Sequence, residues 1–100
     1  SLYSTTKASI TGLVKSMAVE LSSKKIRVNS ILPGLIKTDN LFYKNQKLQN
    51  TEDFAKYQAS YPLGFGKPKN INDIIDFLLG NESEWITGQN IIIDGGHTVL

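Results

Sequence analysis

The sequence predicts an α/β fold whose helices and strands alternate along the chain, as part of a doubly wound parallel sheet that this chain does not complete. Two observations predict it. An apolar stripe at three-and-four spacing through residues 2 to about 23 is followed by the β-branched-rich run Ile26–Leu32, which stops at Pro33-Gly34. The same order then returns: a helical stripe from Pro68 to Gly80, and a strand over Gln89–Asp94 that stops at Gly95-Gly96. Helix, short polar link, strand and turn make the second half of a β-α-β unit in a parallel sheet. In such sheets ligands bind beyond the carboxyl ends of the strands. Pro33 and Gly34 belong at that end, and so does the start of the preceding helix.

Taken in order, the first helix carries Ile10, Leu13, Val14, Met17, Ala18 and Leu21 on its apolar stripe. Ala8, Gly12 and the small hydroxyls between residues 3 and 7 leave another face slim, open to a sheet, a cofactor or a second helix. Ser22-Ser23-Lys24-Lys25 closes the helix with the positive charge its dipole favours. The run from Ile26 is expected to be a short buried strand. Residues 37 to about 66 are the least regular stretch and hold most of the aromatics, among them Phe42, Phe54, Tyr57, Tyr61 and Phe65. Thr51 with Glu52 and Asp53 marks a helix start there. The stretch reads either as a lid over an apolar substrate or as a surface excursion that packs its rings inward. Asn70 is the expected N-cap of the next helix, with Asp73 three residues on and Gly80 as its stop.

Composition sets the bounds. One hundred residues with 40% hydrophobic content make one small domain or part of a larger one. A formal net charge of +2, spread along the chain, gives no basis for a nucleic-acid partner or a membrane surface. With no cysteine there is no disulfide, thiolate metal site or thiol nucleophile, and no metal site is expected. No apolar run reaches the length of a membrane span and no signal-peptide pattern opens the chain, so a soluble cytoplasmic protein is expected. Chain entry directly at residue 1 into the first helix, with no strand before it, leads to the expectation that this is the C-terminal portion of a longer protein.

The chemistry gathers at Tyr3-Ser4-Thr5-Thr6-Lys7. Residues four apart on a helix share a face, so Tyr3 and Lys7 would bring a phenol and an ammonium to one small volume. At about 5 Å and an effective dielectric near 20, the positive charge favours phenolate by roughly 3 kcal/mol. That is about two pKa units, enough to draw a tyrosine from near 10 towards neutrality. The helix dipole pushes the same way. Such a phenol is a competent general acid/base for an alcohol or carbonyl oxygen. Tyr43-Lys44-Asn45-Gln46-Lys47 fits the same pattern but lacks the strand end that accompanies the first pair. His97, the only histidine, follows the last strand with no carboxylate or serine pattern around it, and is not expected to be catalytic.

With these landmarks in place, the chain resembles the C-terminal portion of a short-chain dehydrogenase/reductase along its whole length. The resemblance rests on Tyr3-x-x-x-Lys7, Ile26-Arg-Val-Asn29, Pro33-Gly-Leu-Ile-Lys-Thr38, Tyr61-Pro-Leu-Gly64, Gly66-Lys-Pro68, Ile86-Thr-Gly-Gln89 and Asp94-Gly-Gly96 in that order. It is similar to 3-oxoacyl-[acyl-carrier-protein] reductases and related compact NAD(P)(H)-dependent enzymes. The resemblance implies a Rossmann-like sheet and a hydride exchanged between NAD or NADP and a small-molecule carbonyl or alcohol substrate. Tyr3 would be the general acid/base, and Lys7 would assist it and hold the nicotinamide ribose. Pro33, Gly34 and Ile36 would line the nicotinamide, with the Ile36 backbone reading the carboxamide and Thr38 bonding the carboxamide or pyrophosphate. Asn29 would hold backbone in place. Residues 39 to about 61 correspond to the variable substrate loop, and the last strand to an interface that builds a homo-oligomer, a dimer or tetramer.

Two stretches depart from the family pattern. Pro62-Leu63-Gly64-Phe65-Gly66 is one residue shorter than usual and lacks its arginine, and Lys69 stands where an acidic residue is usual. The glycine-rich phosphate-binding turn, the residue choosing NAD or NADP and the catalytic serine belong upstream in the family, so these 100 residues alone are expected to be unstable and inactive. Two other classes stand beside the enzyme reading. One is a catalytically silent cofactor-binding or scaffolding relative. The other is an extended-family sugar-nucleotide epimerase, which also uses Tyr-x-x-x-Lys.

Overall fold

Where backbone groups find partners decides the architecture. The computed structural model describes residues 2–38 and 51–99, and the side chains from Ser4 onward. Its elements are α1 (Leu2–Leu21), β1 (Ser30–Pro33), α2 (Glu52–Ala59), α3 (Pro68–Leu79) and β2 (Asn90–Ile93), with single 3-10 turns at Ser22–Lys24, Asn81–Ser83 and His97–Val99. β1 and β2 pair in a two-stranded sheet. The Ser30 N–H donates to the Gln89 carbonyl and the Gly34 N–H to that of Ile93, so both strands advance together and the pairing is parallel. The chain divides into two compact units, Ser1–Leu32 with Ile75–Ile91 and Pro33–Ile74 with Ile92–Leu100.

In the first unit, Val14 and Ala18 on α1 are buried. Ile10, Leu13 and Met17 of the same stripe stay 42%, 58% and 38% exposed, so the expected core face is only half covered. Gly88, at φ 74°, turns the chain so closely over α1 that a Cβ there would sit 3.4 Å from the Ala18 methyl. The strand expected from Ile26 begins only at Ser30 and is half-buried. Residues 26–29 form no regular ladder; beside the backbone bond from the Gly88 N–H to the Val28 carbonyl at 2.7 Å, side chains tie them down. The Val28 N–H donates to Thr87 Oγ1 at 3.1 Å, and Asn29 donates through Nδ2 to the Ile86 carbonyl and accepts the Gln89 N–H, each at 3.0 Å. Asn29 therefore holds backbone, as the resemblance implied.

The end of α3 is served from a distance. Arg27 donates to the carbonyls of Leu78 at 2.9 Å and Gly80 at 3.2 Å, and Ser83, fully buried, directs its hydroxyl at the carbonyls of Phe77, Leu78 and Gly80. One hydroxyl proton serves one of these at a time. Together the two side chains meet acceptors that a helix C-terminus leaves without intrahelical partners.

In the second unit, Thr51 caps α2 as expected, its Oγ1 accepting the Phe54 N–H at 3.1 Å. The start of α3 differs from expectation. Pro68 is the first helical residue, where a missing N–H costs nothing, and Asn70 lies inside the helix. Its Oδ1 reaches back to accept the Lys67 N–H at 2.7 Å, which is one half of a capping box. Lys69 pairs with Asp73 one turn on, an exposed contact of small energetic weight.

The C-terminus of α1 offers a clean test of backbone strain. Lys25 adopts left-handed φ 60° and ψ 31°, with its N–H on the Ser22 carbonyl and the Ile26 N–H on that of Leu21. This is a Schellman closure with lysine at the position that favours glycine. We expect Lys25→Gly to stabilise the full-length protein by about 0.5–1 kcal/mol, since it removes the Cβ clash of that conformation. A thermal midpoint that fails to rise would contradict the assignment.

Candidate active site

α1 carries Tyr3 and Lys7 one helical turn apart in the first unit. Lys7 is half-buried, whereas Ser4–Thr6 and Ala8–Ile10 around it are exposed. Two hydroxyls close by turn back onto the helix: Ser9 Oγ donates to the Thr5 carbonyl and Thr11 Oγ1 to that of Lys7, each at 3.0 Å. Bonded in this way, they keep their polar atoms against the helix surface.

Pro33, Gly34, Ile36 and Thr38 stand together on one continuous segment of the second unit. Gly34 donates its N–H to the Ile93 carbonyl at 2.9 Å. A Cβ at this position would lie 2.8 Å from Asp94 Cβ and 2.9 Å from Tyr61 Cε1, so close approach demands glycine. The next N–H, that of Leu35, donates to the Tyr61 hydroxyl at 3.1 Å. Ile36 then forms an isolated parallel bridge with Gly66. In it the Gly66 N–H donates to the Leu35 carbonyl at 3.0 Å, and the Lys37 N–H to the Gly66 carbonyl at 2.7 Å. Both bonds belong to the residues flanking Ile36. Its own N–H and C=O therefore face away from Gly66, and neither has a hydrogen-bond partner among the described residues. A neighbouring donor and acceptor on one edge of the chain match a primary carboxamide, which has one oxygen to accept and two N–H groups to donate. On that chemistry, the segment fits the nicotinamide group that the resemblance implies. Pro33 and Thr38 flank it and are exposed.

A cavity of about 310 Å3 adjoins this segment, lined among others by Leu35, Ile36, Leu63, Phe65, Asn70 and Asp94. Behind it the aromatic side chains gather. Phe54, Tyr57, Tyr61 and Phe65 meet edge-on or tilted, with ring centroids 5.1–5.9 Å apart. Of these rings Tyr61 is buried, Phe54 and Phe65 are half-buried and Tyr57 stays exposed, so their mutual contacts leave both readings of the aromatic stretch open. Phe65 stands in the shortened stretch without its arginine and fills space against the other rings. Leu41, Phe42, the Tyr43/Lys47 pair and residues 39–50 of the expected substrate loop lie outside the described residues.

His97 is held by residues that sequence spacing did not reveal. Its ring stacks on Tyr61 at 4.2 Å and 8°, and Nδ1 meets the Ser60 carbonyl at 3.0 Å and Ser60 Oγ at 3.1 Å. A ring nitrogen facing a carbonyl there acts as the donor, so the ring serves as a packing clamp. Asp94 closes the turn that precedes it, accepting the N–H groups of Gly96 and Thr98 at 3.0 Å. Its carboxyl is held below its ordinary value, first by the side-chain hydrogen bond with Thr98. The two backbone N–H groups and nearby His97 act the same way, against an opposing effect of desolvation.

The Tyr61 hydroxyl is the contact at this segment that sequence reasoning missed. A signal for it existed, because a buried tyrosine needs a partner for its oxygen and Tyr61 is only 6% exposed.

Comparison with known proteins follows the same lines. Residues 1–98 match the family model described as enoyl-(acyl carrier protein) reductase. The 3-oxoacyl-[acyl-carrier-protein] reductase FabG of Aquifex aeolicus is 37% identical over 95 residues, 94% of this chain and 36% of that protein. That of Thermotoga maritima is 40% identical over 95 residues, covering 94% and 37%. The 2-keto-3-deoxy-L-fuconate dehydrogenase of Xanthomonas campestris is 37% identical over 98 residues, covering 95% and 33%. Among solved structures, a 4-hydroxyisoleucine dehydrogenase complexed with NADH superimposes with a TM-score of 0.82 at 34% identity, covering 98% of this chain and 40% of that one. A short-chain dehydrogenase family protein from Francisella tularensis gives 0.79 at 33% identity, covering 98% and 43%. The chain thus spans about a third of the length of the curated relatives it matches.

Two substitutions test this geometry. Gly34→Ala should destabilise the full-length protein by about 1–3 kcal/mol, because backbone and a buried ring must shift to admit one methyl. An unchanged denaturation midpoint would show that the close approach is not a constraint. For Asp94, a depressed folded-state pKa means stability that is present above the ordinary value of 3.8 and lost as pH falls through the lower folded value. Asp94→Asn should therefore be less stable than the parent at neutral pH, with the gap narrowing below 3.8. A gap that is constant with pH would remove the carboxylate from the account.

Proposed function

Because this chain belongs to the short-chain dehydrogenase/reductase family, we propose that the protein is an oxidoreductase exchanging a hydride between NAD or NADP and a ketone/alcohol substrate. The observation that carries the reading is the backbone of Ile36, whose N–H and C=O are turned away from Gly66 on the segment where the family lines its nicotinamide. The Tyr-x-x-x-Lys spacing on α1 and the NADH complex of the 4-hydroxyisoleucine dehydrogenase support it.

When bound, the nicotinamide supplies or accepts the hydride. The chain's own residues do the rest. Tyr3 gives a proton to the substrate oxygen in the reductive direction and removes it in the oxidative one. Lys7, one turn on, would favour the phenolate by its charge and hold a ribose hydroxyl. Ile36 fixes the carboxamide through its N–H and C=O, Thr38 adds a hydroxyl beside it, and Pro33 and Gly34 form a wall without bulk.

The test is hydride transfer by the full-length protein with NADPH and NADH against a panel of ketones and acyl ketones, with Tyr3→Phe alongside. In the variant kcat should fall about 100- to 10,000-fold, the usual worth of a positioned acid/base, with cofactor still bound. Unchanged turnover would refute the role of Tyr3. Dinucleotide binding by the parent without turnover on any substrate would favour the silent relative.

A further inference from the structure

The Tyr61 hydroxyl is an odd expense for a packing residue. A phenylalanine would fill the same space among Tyr57, Phe65 and His97, yet this position carries an oxygen that reaches the backbone of the segment ahead. Tyr61 Oη accepts the Leu35 N–H at 3.1 Å and meets Tyr57 Oη at 3.3 Å, a contact in which either hydroxyl can donate. The ring has little freedom. Tyr61 is buried, His97 stacks on one face, Phe65 stands edge-on, and Cε1 fills the space beside Gly34. His97 is itself fixed through Nδ1 to Ser60, the residue preceding Tyr61.

The bonds along the segment alternate in direction. Gly34 N–H is taken by Ile93, Leu35 N–H by Tyr61, Leu35 C=O and Lys37 N–H by Gly66. Ile36 alone in this run has both groups without a partner among the described residues. The plane of the peptide joining Leu35 to Ile36 is fixed at its carbonyl by Gly66, and the peptide before it by Tyr61. With ω planar, these two anchors leave the direction of the Ile36 N–H little room to swing.

We propose that Tyr61 is a positioning residue for nicotinamide binding: its hydroxyl, by holding the Leu35 N–H, helps to orient the Ile36 N–H for the carboxamide, while Gly66 holds the peptide that carries the Ile36 C=O. This rests on the oxidoreductase reading above. Tyr61 touches neither substrate nor cofactor in this account; it acts through the peptide it holds.

The test is Tyr61→Phe in the full-length protein, which keeps the ring and removes only the oxygen. Two ligands are titrated: the reduced dinucleotide that the parent binds, and the matching ADP-ribose or 2′-phospho-ADP-ribose, which lacks the nicotinamide. The expected result is dinucleotide affinity weakened about three- to ten-fold, the range of one net hydrogen bond, with the ribose diphosphate unchanged. Amide exchange should quicken at Leu35 while Gly34, held by Ile93, keeps its protection. Equal weakening of both ligands would overturn the proposal and leave Tyr61 a structural residue, and so would no change in either. A parent that binds neither ligand would instead bring down the oxidoreductase reading, and this inference with it.

Discussion

At Gly34 three pieces of chain converge with no space left over. The residue's N–H is bound by Ile93, the backbone of Asp94 lies 2.9 Å from where a side chain would begin, and the Tyr61 ring occupies the remaining side. Much of the second unit follows from that crowding. β2 must end beside Gly34, so Asp94 turns at once and spends its carboxylate on the N–H groups of Gly96 and Thr98. Tyr61, brought against the same atoms, lies within reach of the Leu35 N–H. Phe65 and His97 then close around its ring. A close approach of backbones therefore sets the local geometry, and the apolar side chains fill in behind it.

The first unit reaches order by another route. It buries few apolar side chains, and polar ones do the joining: Arg27, Asn29, Ser83 and Thr87 each meet backbone groups far away in the sequence or at the end of a helix. Leaving such a buried group unpaired costs about 1–3 kcal/mol, so contacts of this kind fix which segments meet even where apolar burial is modest. Arg27 is the clearest case, because a planar guanidinium with several donors can satisfy more than one carbonyl at once.

Much of this was legible in the sequence because it is local. The Thr51 cap, the halt of α3 at Gly80 and the Gly95-Gly96 turn after β2 each depend on neighbours within a few residues. The N-cap lies three positions before Asn70 because proline at 68 already supplies a helical φ, which moves the start of the helix earlier. What stayed hidden is long-range. Nothing near Ile26 or Arg27 announces that this run is bound by Thr87 and by the carbonyls of Leu78 and Gly80, so it reads as strand when it is not. The pairing of Ser60 with His97 and the bridge of Ile36 to Gly66 are of the same kind. For the candidate site, the sequence offered residue identities through the resemblance and no geometry. The resemblance pointed to Ile36, and only the bridge explains why that residue has groups to offer.

The bridge at Ile36 also separates two kinds of information. Its donor and acceptor belong to the main chain, so any residue but proline at that position would present them unchanged. The side chain faces a different duty: its Cδ1 stands 2.7 Å from where a side chain on Gly66 would begin, and it helps to wall the neighbouring cavity. The polar groups offered here thus belong to the backbone, where substitution cannot easily reach them, and cavity shape is set by a side chain that can vary. A protein built this way can change the contour of its pocket while the polar groups on its main chain stay constant.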